Sequence, residues 1–266
     1  MSDILTVATF NANSIRVRLA QVLDWLKRVQ PDILALQETK CSDEDFPVDP
    51  IREAGWRVSY RGRGGRAGVA IIAADDLEDV AYGLDDREDS DEHRLIRARL
   101  RGIPIINTYV PQGKGIDEPE FRYKLHWFER LCAFLDRHYR PTHPLLWLGD
   151  LNVAPEPIDV YDPKRLAEHV DFHPEAREAL ERVKAWGFED VFRRLHPGEP
   201  EQYSYWDYRA RNPVPNKVGW RVDHIMATPP LAATATEAWI DVQERLAERP
   251  SDHTFLVARF DLSRLG

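Results

Sequence analysis

The sequence predicts an α/β fold with mixed, largely antiparallel sheets. Apolar, β-branched runs alternate with long amphipathic helices, and several of these runs are joined by short turns instead of helices. Such hairpins argue against a uniform strand–helix–strand series. With 266 residues the chain can build a sizeable core, and one domain spanning 1–266 is expected.

ILTVATF (4–10) is the first strand. Residues 17–29 carry apolar side chains at spacings of three and four and read as a helix. Pro31 introduces a strand at 32–37. WRVSY (56–60) and GVAIIA (68–73) are strands flanking a Gly/Arg loop, RGRGGR (61–66). The acidic stretch 75–92 reads as a solvated loop. RLIRARL (94–100) and IPIINTY (103–109) form a hairpin around Arg101-Gly102. A long amphipathic helix covers 120–139, a strand 144–149, and a helix opened by proline 174–186. Strands are expected at 202–208, 218–227, 234–240 and 254–260.

Composition removes several classes. No apolar run reaches the roughly 18 residues that a membrane span needs. The segment MSDILTVATF lacks a basic leader and runs straight into a strand, which argues against a signal peptide. Cys41 and Cys132 make neither a disulfide framework nor a metal motif, so a reduced cytoplasm is the expected compartment. The net charge of −9 disfavours tight, non-specific coating of nucleic acid. Basic clusters at 61–66 and 209–221 still allow contact with a few phosphates. There is no G-x-x-x-x-G-K-[ST] loop, no G-x-S-x-G elbow and no zinc spacing.

What remains is a set of polar residues at strand ends. Asn11 follows the first strand and Glu38 the second. Tyr109 closes 103–109, and Asp150 and Asn152 follow 144–149. Asp223 lies within 218–227, and Asp252 and His253 open the last strand. Taken singly, each has an ordinary explanation: Asp150 and Asn152 suit a turn, Tyr109 a core, and Asp223 and His253 a structural pair. Gathered on one rim, they supply oxygen ligands, a proton acceptor, an imidazole and amide donors. That set fits hydrolysis of a phosphate ester with a hard divalent cation.

FNANSIR (10–16), PDILALQETK (31–40), GVAII (68–72), INTYVPQG (106–113), LLWLGDLNVAP (145–155), FHPEARE (172–178), YSYWDYR (203–209), GWRVDHI (219–225) and PSDH (250–253) span nearly the whole chain. In sequence and order they resemble the exonuclease III family of DNA-repair nucleases, within the endonuclease/exonuclease/phosphatase fold. The resemblance implies a four-layer α/β sandwich of two facing mixed sheets flanked by helices. It implies a Mg²⁺- or Mn²⁺-dependent enzyme that cuts the phosphodiester 5′ to abasic sites and trims 3′ ends of duplex DNA, leaving 3′-hydroxyls. The trimming covers 3′–5′ exonuclease and 3′-phosphatase or phosphodiesterase work. The implied partner is double-stranded DNA with abasic sites or blocked or recessed 3′ ends, bound by a monomer.

By motif match, Glu38 is the main metal carboxylate, with Asn11, Asn13 and Asp252 beside it. Asp150 activates the attacking water or serves the leaving oxygen, while Asn152 and Tyr109 orient the phosphate. Asp223 partners His253. Tyr205, Trp220 and Val222 line the space for a flipped sugar that lacks a base. Arg66, Arg94, Lys40, Lys217 and Arg221 are candidates for phosphate contact. Three positions depart from the family pattern: Ser14 where many relatives have glycine, Arg66 where many have an aromatic or histidine, and His224 where an apolar or aromatic residue is common. The competing readings are a phosphodiesterase or phosphatase of the same fold acting on non-DNA substrates, and a non-catalytic DNA-binding module. The lesion-pocket segments oppose the first, and the complete set of rim residues opposes the second.

Overall fold

A computed structural model describes residues 3–86 and 91–265. Twelve strands form two six-stranded mixed sheets. The first sheet holds β1 (Ile4–Asn11), β2 (Ile33–Gln37), β3 (Arg57–Arg61), β4 (Val69–Ala73), β11 (Ala235–Ile240) and β12 (Leu256–Asp261), in the order β11-β12-β1-β2-β4-β3. The second holds β5 (Glu78–Tyr82), β6 (Leu95–Leu100), β7 (Ile103–Tyr109), β8 (Leu146–Asp150), β9 (Glu189–Asp190) and β10 (Asp223–Ala227), in the order β5-β6-β7-β8-β10-β9. The helices are α1 (Ile15–Val29), α2 (Val48–Glu53), α3 (Pro119–His138), α4 (Pro174–Ala185), α5 (Val191–Leu195) and α6 (Pro229–Ala232).

Side chains alternate faces along a strand, and the cores follow that period of two. Leu5 and Val7 of β1, Ile33 of β2, Ile105 of β7 and Leu146 and Leu148 of β8 share one core between the sheets. The intervening Ala8 and Phe10 join Trp25 and Leu26 of α1 in an outer core. Trp147 of β8 faces the opposite outer layer, with Trp127, Phe128 and Leu131 of α3 and Val183 of α4. This is the helix–sheet–sheet–helix sandwich expected from the sequence.

β1 and β2 run parallel, as do β7 and β8, so Asn11, Gln37, Tyr109 and Asp150 end their strands in register. β12 and β10 run antiparallel to them, with Thr9 opposite Leu256 and Asp150 opposite Asp223. The starts of β12 and β10 therefore lie beside the ends of the other four. Below this rim, Gln37 Nε2 donates to Asn107 Oδ1 at 2.7 Å, and Asn107 Nδ2 reaches the carbonyls of Leu36 and Ala70. These buried bonds tie the facing sheets together.

Three expectations need correction. Part of the acidic stretch 75–92 is β5, because Leu77, Val80 and Tyr82 pack on the inter-sheet core while the charges take the solvent side of an edge strand; residues 87–90 lie outside the described residues. Residues 202–208 form no strand. Tyr205 makes isolated bridges to Trp220 and His253, so its backbone links loops instead of extending a ladder. The strand placed at 218–227 begins only at Asp223. Among the described residues, no helix is long and apolar enough to cross a membrane.

Candidate active site

The rim carries a cleft of about 140 Å³ lined by Glu38, Tyr109, Gln112, Asn152, Asp171, Tyr205, Val222, Asp252 and His253. Its two halves come from different sheets. Asn11, at the end of β1, joins them: its Nδ2 donates to Glu38 Oε1 and to Asp150 Oδ2, each at 2.8 Å. Asn13 Nδ2 donates to Asp252 Oδ1 at 2.9 Å, and its backbone N–H donates to Asn11 Oδ1. Lys40 Nζ lies 2.7 Å from Glu38 Oε2 and donates to Asn13 Oδ1. The four groups expected to hold metal thus form one connected set at the end of the first sheet.

The second half is built for proton handling. His253 Nδ1 lies 2.7 Å from Asp223 Oδ2, and His253 Nε2 lies 3.8 Å from Asp150 Oδ2. Burial alone would keep the imidazole neutral. Asp223, with Asp150, outweighs burial and raises its pKa to about 10. Burial pushes the Asp150 carboxyl up to about 8; Asp223 and Glu38 add to the rise, while His253 and Asn11 oppose it. Both Asp150 oxygens accept hydrogen bonds, Oδ2 from Asn11 and Oδ1 from the Asn152 N–H at 2.9 Å. Ser204 Oγ meets the backbone N–H groups of Val222 and Asp223, and Ser251 Oγ donates to the Asn11 carbonyl at 2.8 Å. Burial, followed by Glu38 and Asp150, raises the Tyr109 phenol well above its ordinary value, so it stays a neutral donor.

Asp150, Asp223 and His253 each offer a ligand atom within 4.8 Å of the others, and this buried cluster is consistent with a metal site. Within it, His253 Nδ1 is already engaged by Asp223 at 2.7 Å. The carboxylates and amide oxygens of Glu38, Asn11, Asn13 and Asp252 make an oxygen-only donor set, which suits a hard divalent cation. Burial first, and then the neighbouring Asp223 and Glu38 carboxylates, raise Asp150, and a nearby cation would offset that crowding.

The lesion-pocket residues divide. Tyr205 and Val222 line the cleft, with the Tyr205 ring 4.8 Å from that of His253. Trp220 is buried behind this wall among Ala154, Val160, Leu166 and Phe172, and packs on His169 at 4.4 Å. The basic candidates also divide. Arg94 lies over the Tyr109 ring at 5.0 Å and Lys40 pairs with Glu38 at the rim. Arg66 is exposed in its loop, and Lys217 is exposed and paired with Glu201.

Arg221 cannot serve as a phosphate contact: its side chain has no exposed surface. Its Nε lies 2.8 Å from Asp159 Oδ1 and its Nη1 lies 2.7 Å from Asp190 Oδ2. His224, one of the departures from the family pattern, belongs to the same cluster. Its Nδ1 lies 3.0 Å from Arg221 Nη1 and its Nε2 lies 2.9 Å from the Val153 carbonyl. Ser14 holds a φ of 91° just before α1, where glycine would sit without strain.

Sequence reasoning missed Gln112 and Asp171 as cleft residues. It also missed Lys124, which anchors them from below through bonds to the Gln112 carbonyl and Asp171 Oδ1. A lysine inside the apolar stripe of a predicted helix was the available signal.

The endonuclease/exonuclease/phosphatase family pattern matches residues 8–253. The chain is 31% identical over 263 residues to an exodeoxyribonuclease III from Haemophilus influenzae, covering 95% of this chain and 98% of that protein. The structure superposes on an AP endonuclease from Archaeoglobus fulgidus with a TM-score of 0.95 and 49% identity, over 97% of this chain and 99% of the other. It superposes on a 3′ phosphatase from Neisseria, solved bound to a product DNA hairpin, with a TM-score of 0.92 and 35% identity, over 96% and 99%.

Proposed function

The chain belongs to the endonuclease/exonuclease/phosphatase family, in its exonuclease III and AP endonuclease branch, and on that premise we propose a divalent-metal-dependent DNA-repair nuclease. It hydrolyses the phosphodiester 5′ to abasic sites and trims 3′ ends of duplex DNA, leaving 3′-hydroxyls. The observation that carries this reading is the Asp223–His253 pair at 2.7 Å facing Asp150, beside a cleft walled by Tyr205 and Val222. Double-stranded DNA is the partner, the whole 1–266 chain acts as one unit, and a cytoplasmic monomer is the working form.

Asp223 fixes the His253 ring and keeps it cationic, so Nε2 donates toward a phosphoryl oxygen as negative charge builds there. Asp150, held by hydrogen bonds at both oxygens, takes the proton of the attacking water, and its burial strengthens the ionised carboxylate as a base. Tyr109 and Asn152 donate to the phosphate and hold it in line. Glu38, Asn11, Asn13 and Asp252 are the residues that would hold Mg²⁺ or Mn²⁺, which when bound neutralises charge on the phosphate and its leaving oxygen. An abasic nucleotide costs least to unstack, and the modest space beside Tyr205 and Val222 suits a sugar without its base.

The test is an end-labelled duplex carrying one stable abasic analogue, incubated with Mg²⁺ or with EDTA. One Mg²⁺-dependent cut 5′ to the lesion is expected, with shorter fragments reporting trimming. An intact duplex in both Mg²⁺ and Mn²⁺ overturns the proposal in favour of other phosphate esters.

A further inference from the structure

A cavity well apart from the catalytic cleft lies on the second sheet. It measures about 510 Å³ and lies at the other end of the second sheet, where β7 begins beside Pro104 and the chain enters β8 at Leu145. Pro104 and Tyr109 are five residues apart on β7, so roughly 16 Å separates this cavity from the catalytic rim. No group lining it belongs to the machinery described above.

Its lining is strongly basic in a chain of net charge −9. Arg99 comes from β6, Arg137 and His138 from the last turn of α3, and Arg140 and His143 from the loop that follows. Among the described residues none that lines it is acidic, while Asp79 lies 3.1 Å from Arg99 and Asp85 lies 3.4 Å from His138 at its margin. Cations at a helix C-terminus are common because they offset the helix dipole, and Arg140 Nη1 does bond the Asp136 and Tyr139 carbonyls. That explanation does not reach Arg99 or His143, which arrive from other elements.

The guanidinium groups are anchored through only part of their donor sets. Arg137 Nη2 donates to the Leu84 carbonyl at 2.7 Å, and Arg99 donates to the Gly102 carbonyl and to Asp79. Each keeps further N–H donors for another acceptor. The loop is fixed as well: the His143 N–H bonds the Arg140 carbonyl, and Thr228 Oγ1 donates to the His143 carbonyl and accepts from the Leu145 N–H. Tyr139, Pro104, Pro144 and Leu145 supply flat and apolar surface beside these donors. Convergent arginines match phosphate oxygens, and aromatic and proline faces match a planar ring. The volume suits a small organic ligand.

We propose that this cavity is a second binding site, for a nucleoside monophosphate. Its arginines take the phosphate and the Tyr139–Pro144 face takes the base. The choice of nucleotide rests on the proposed function, because 3′–5′ trimming releases nucleoside 5′-monophosphates; the cavity and its charge do not depend on that reading.

The test is titration calorimetry on the full chain in EDTA, with dAMP, deoxyadenosine and inorganic phosphate as probes. The variants are Arg99→Gln/Arg140→Gln for the new site and His253→Ala for the catalytic one. One dAMP site should persist in His253→Ala and weaken by about tenfold or more in the double-arginine variant. That variant should incise abasic duplex like the parent, so loss of the second site and failure of the nuclease reading are separate results. Deoxyadenosine or phosphate alone should bind more weakly than dAMP. Absence of dAMP binding, binding lost in His253→Ala but unchanged in the arginine variant, or phosphate binding as tight as dAMP would each overturn the proposal.

Discussion

Replacing Lys124 with methionine should damage both stability and turnover. Lys124 has no exposed surface. Its Nζ lies within hydrogen-bond reach of the carbonyls of Asn152 at 2.5 Å, Val170 at 2.9 Å and Gln112 at 3.1 Å, and of Asp171 Oδ1 at 3.0 Å. Methionine fills nearly the same volume, so the loss is one of donors and charge instead of packing. Removing one member of a buried ion pair costs about 3–5 kcal/mol, because the other charge is stranded. For a chain of this size, each kcal/mol lowers Tm by roughly 2–4 °C, so a fall of about 10 °C is expected. Asn152, Gln112 and Asp171 all line the cleft, and kcat on an abasic duplex should fall by more than about tenfold at a temperature where the variant stays folded. Adding Asp171→Asn removes the stranded charge and should recover part of the lost Tm. Thermal unfolding and incision kinetics on the single and double variants decide the matter. A Tm within about 2 °C of the parent together with unchanged kcat would refute the assignment of Lys124 as the post that positions these loops.

The remaining predictions concern the groups around this post. Burial would raise Asp159 and Asp190, but Arg221, with Arg193 and His224, outweighs it and holds both below their ordinary 3.8. Depressed carboxylates contribute stability that is present above their unfolded pKa and lost as pH falls through the folded one. Arg221→Met should therefore cost about 3 kcal/mol or more at pH 7, with the gap to the parent narrowing below pH 4; urea midpoints at pH 7 and 3.5 measure it, and a gap independent of pH counts against the pairing. Asp223→Asn removes the main group that keeps His253 charged, so the basic limb of kcat/KM, set by a parent pKa of about 10, should move toward neutrality; an unmoved limb assigns it to another residue. Gly149→Ala places a Cβ 2.0 Å from the Thr108 carbonyl oxygen, at a φ of 144°. It should lower Tm and displace Asp150, reducing kcat more than it raises KM, and a parent-like enzyme would mean that β7 and β8 part easily.

The strands and helices that build the sandwich were legible because each buries one face against a large core, and burial writes its period into the sequence. β1 shows it, with Leu5 and Val7 facing one core and Ala8 and Phe10 the other. The segment 202–222 was not legible in the same way. Its apolar and aromatic residues suggested strands, yet Tyr205 and Trp220 pair only with each other and with single residues nearby, because this chain closes a pocket instead of extending a sheet. Of the site, the strand-end residues stood out as charges where a core should begin. Arg221 misled for a related reason. A cationic residue in a basic stretch suggested a phosphate contact, but Asp159 and Asp190 lie far away in sequence and meet it only in the fold.

The placement of the site follows from the pairing of two sheets. The first sheet brings Glu38, Asn11, Asn13 and Asp252, an oxygen-rich set with little capacity to move a proton. The second brings Asp150, Asp223, Tyr109 and Asn152, which can orient and transfer protons but crowd negative charge. Asn11 reaches across to Asp150 at 2.8 Å, and His253, in the loop that leads into β12, reaches Asp223 at 2.7 Å. Sliding one sheet against the other by a single residue, about 3.3 Å, would carry both pairs out of hydrogen-bonding distance. The buried Gln37–Asn107 bond and the shared apolar core therefore do more than stabilise the fold. They set the register at which His253, Asp150 and Glu38 meet at one rim.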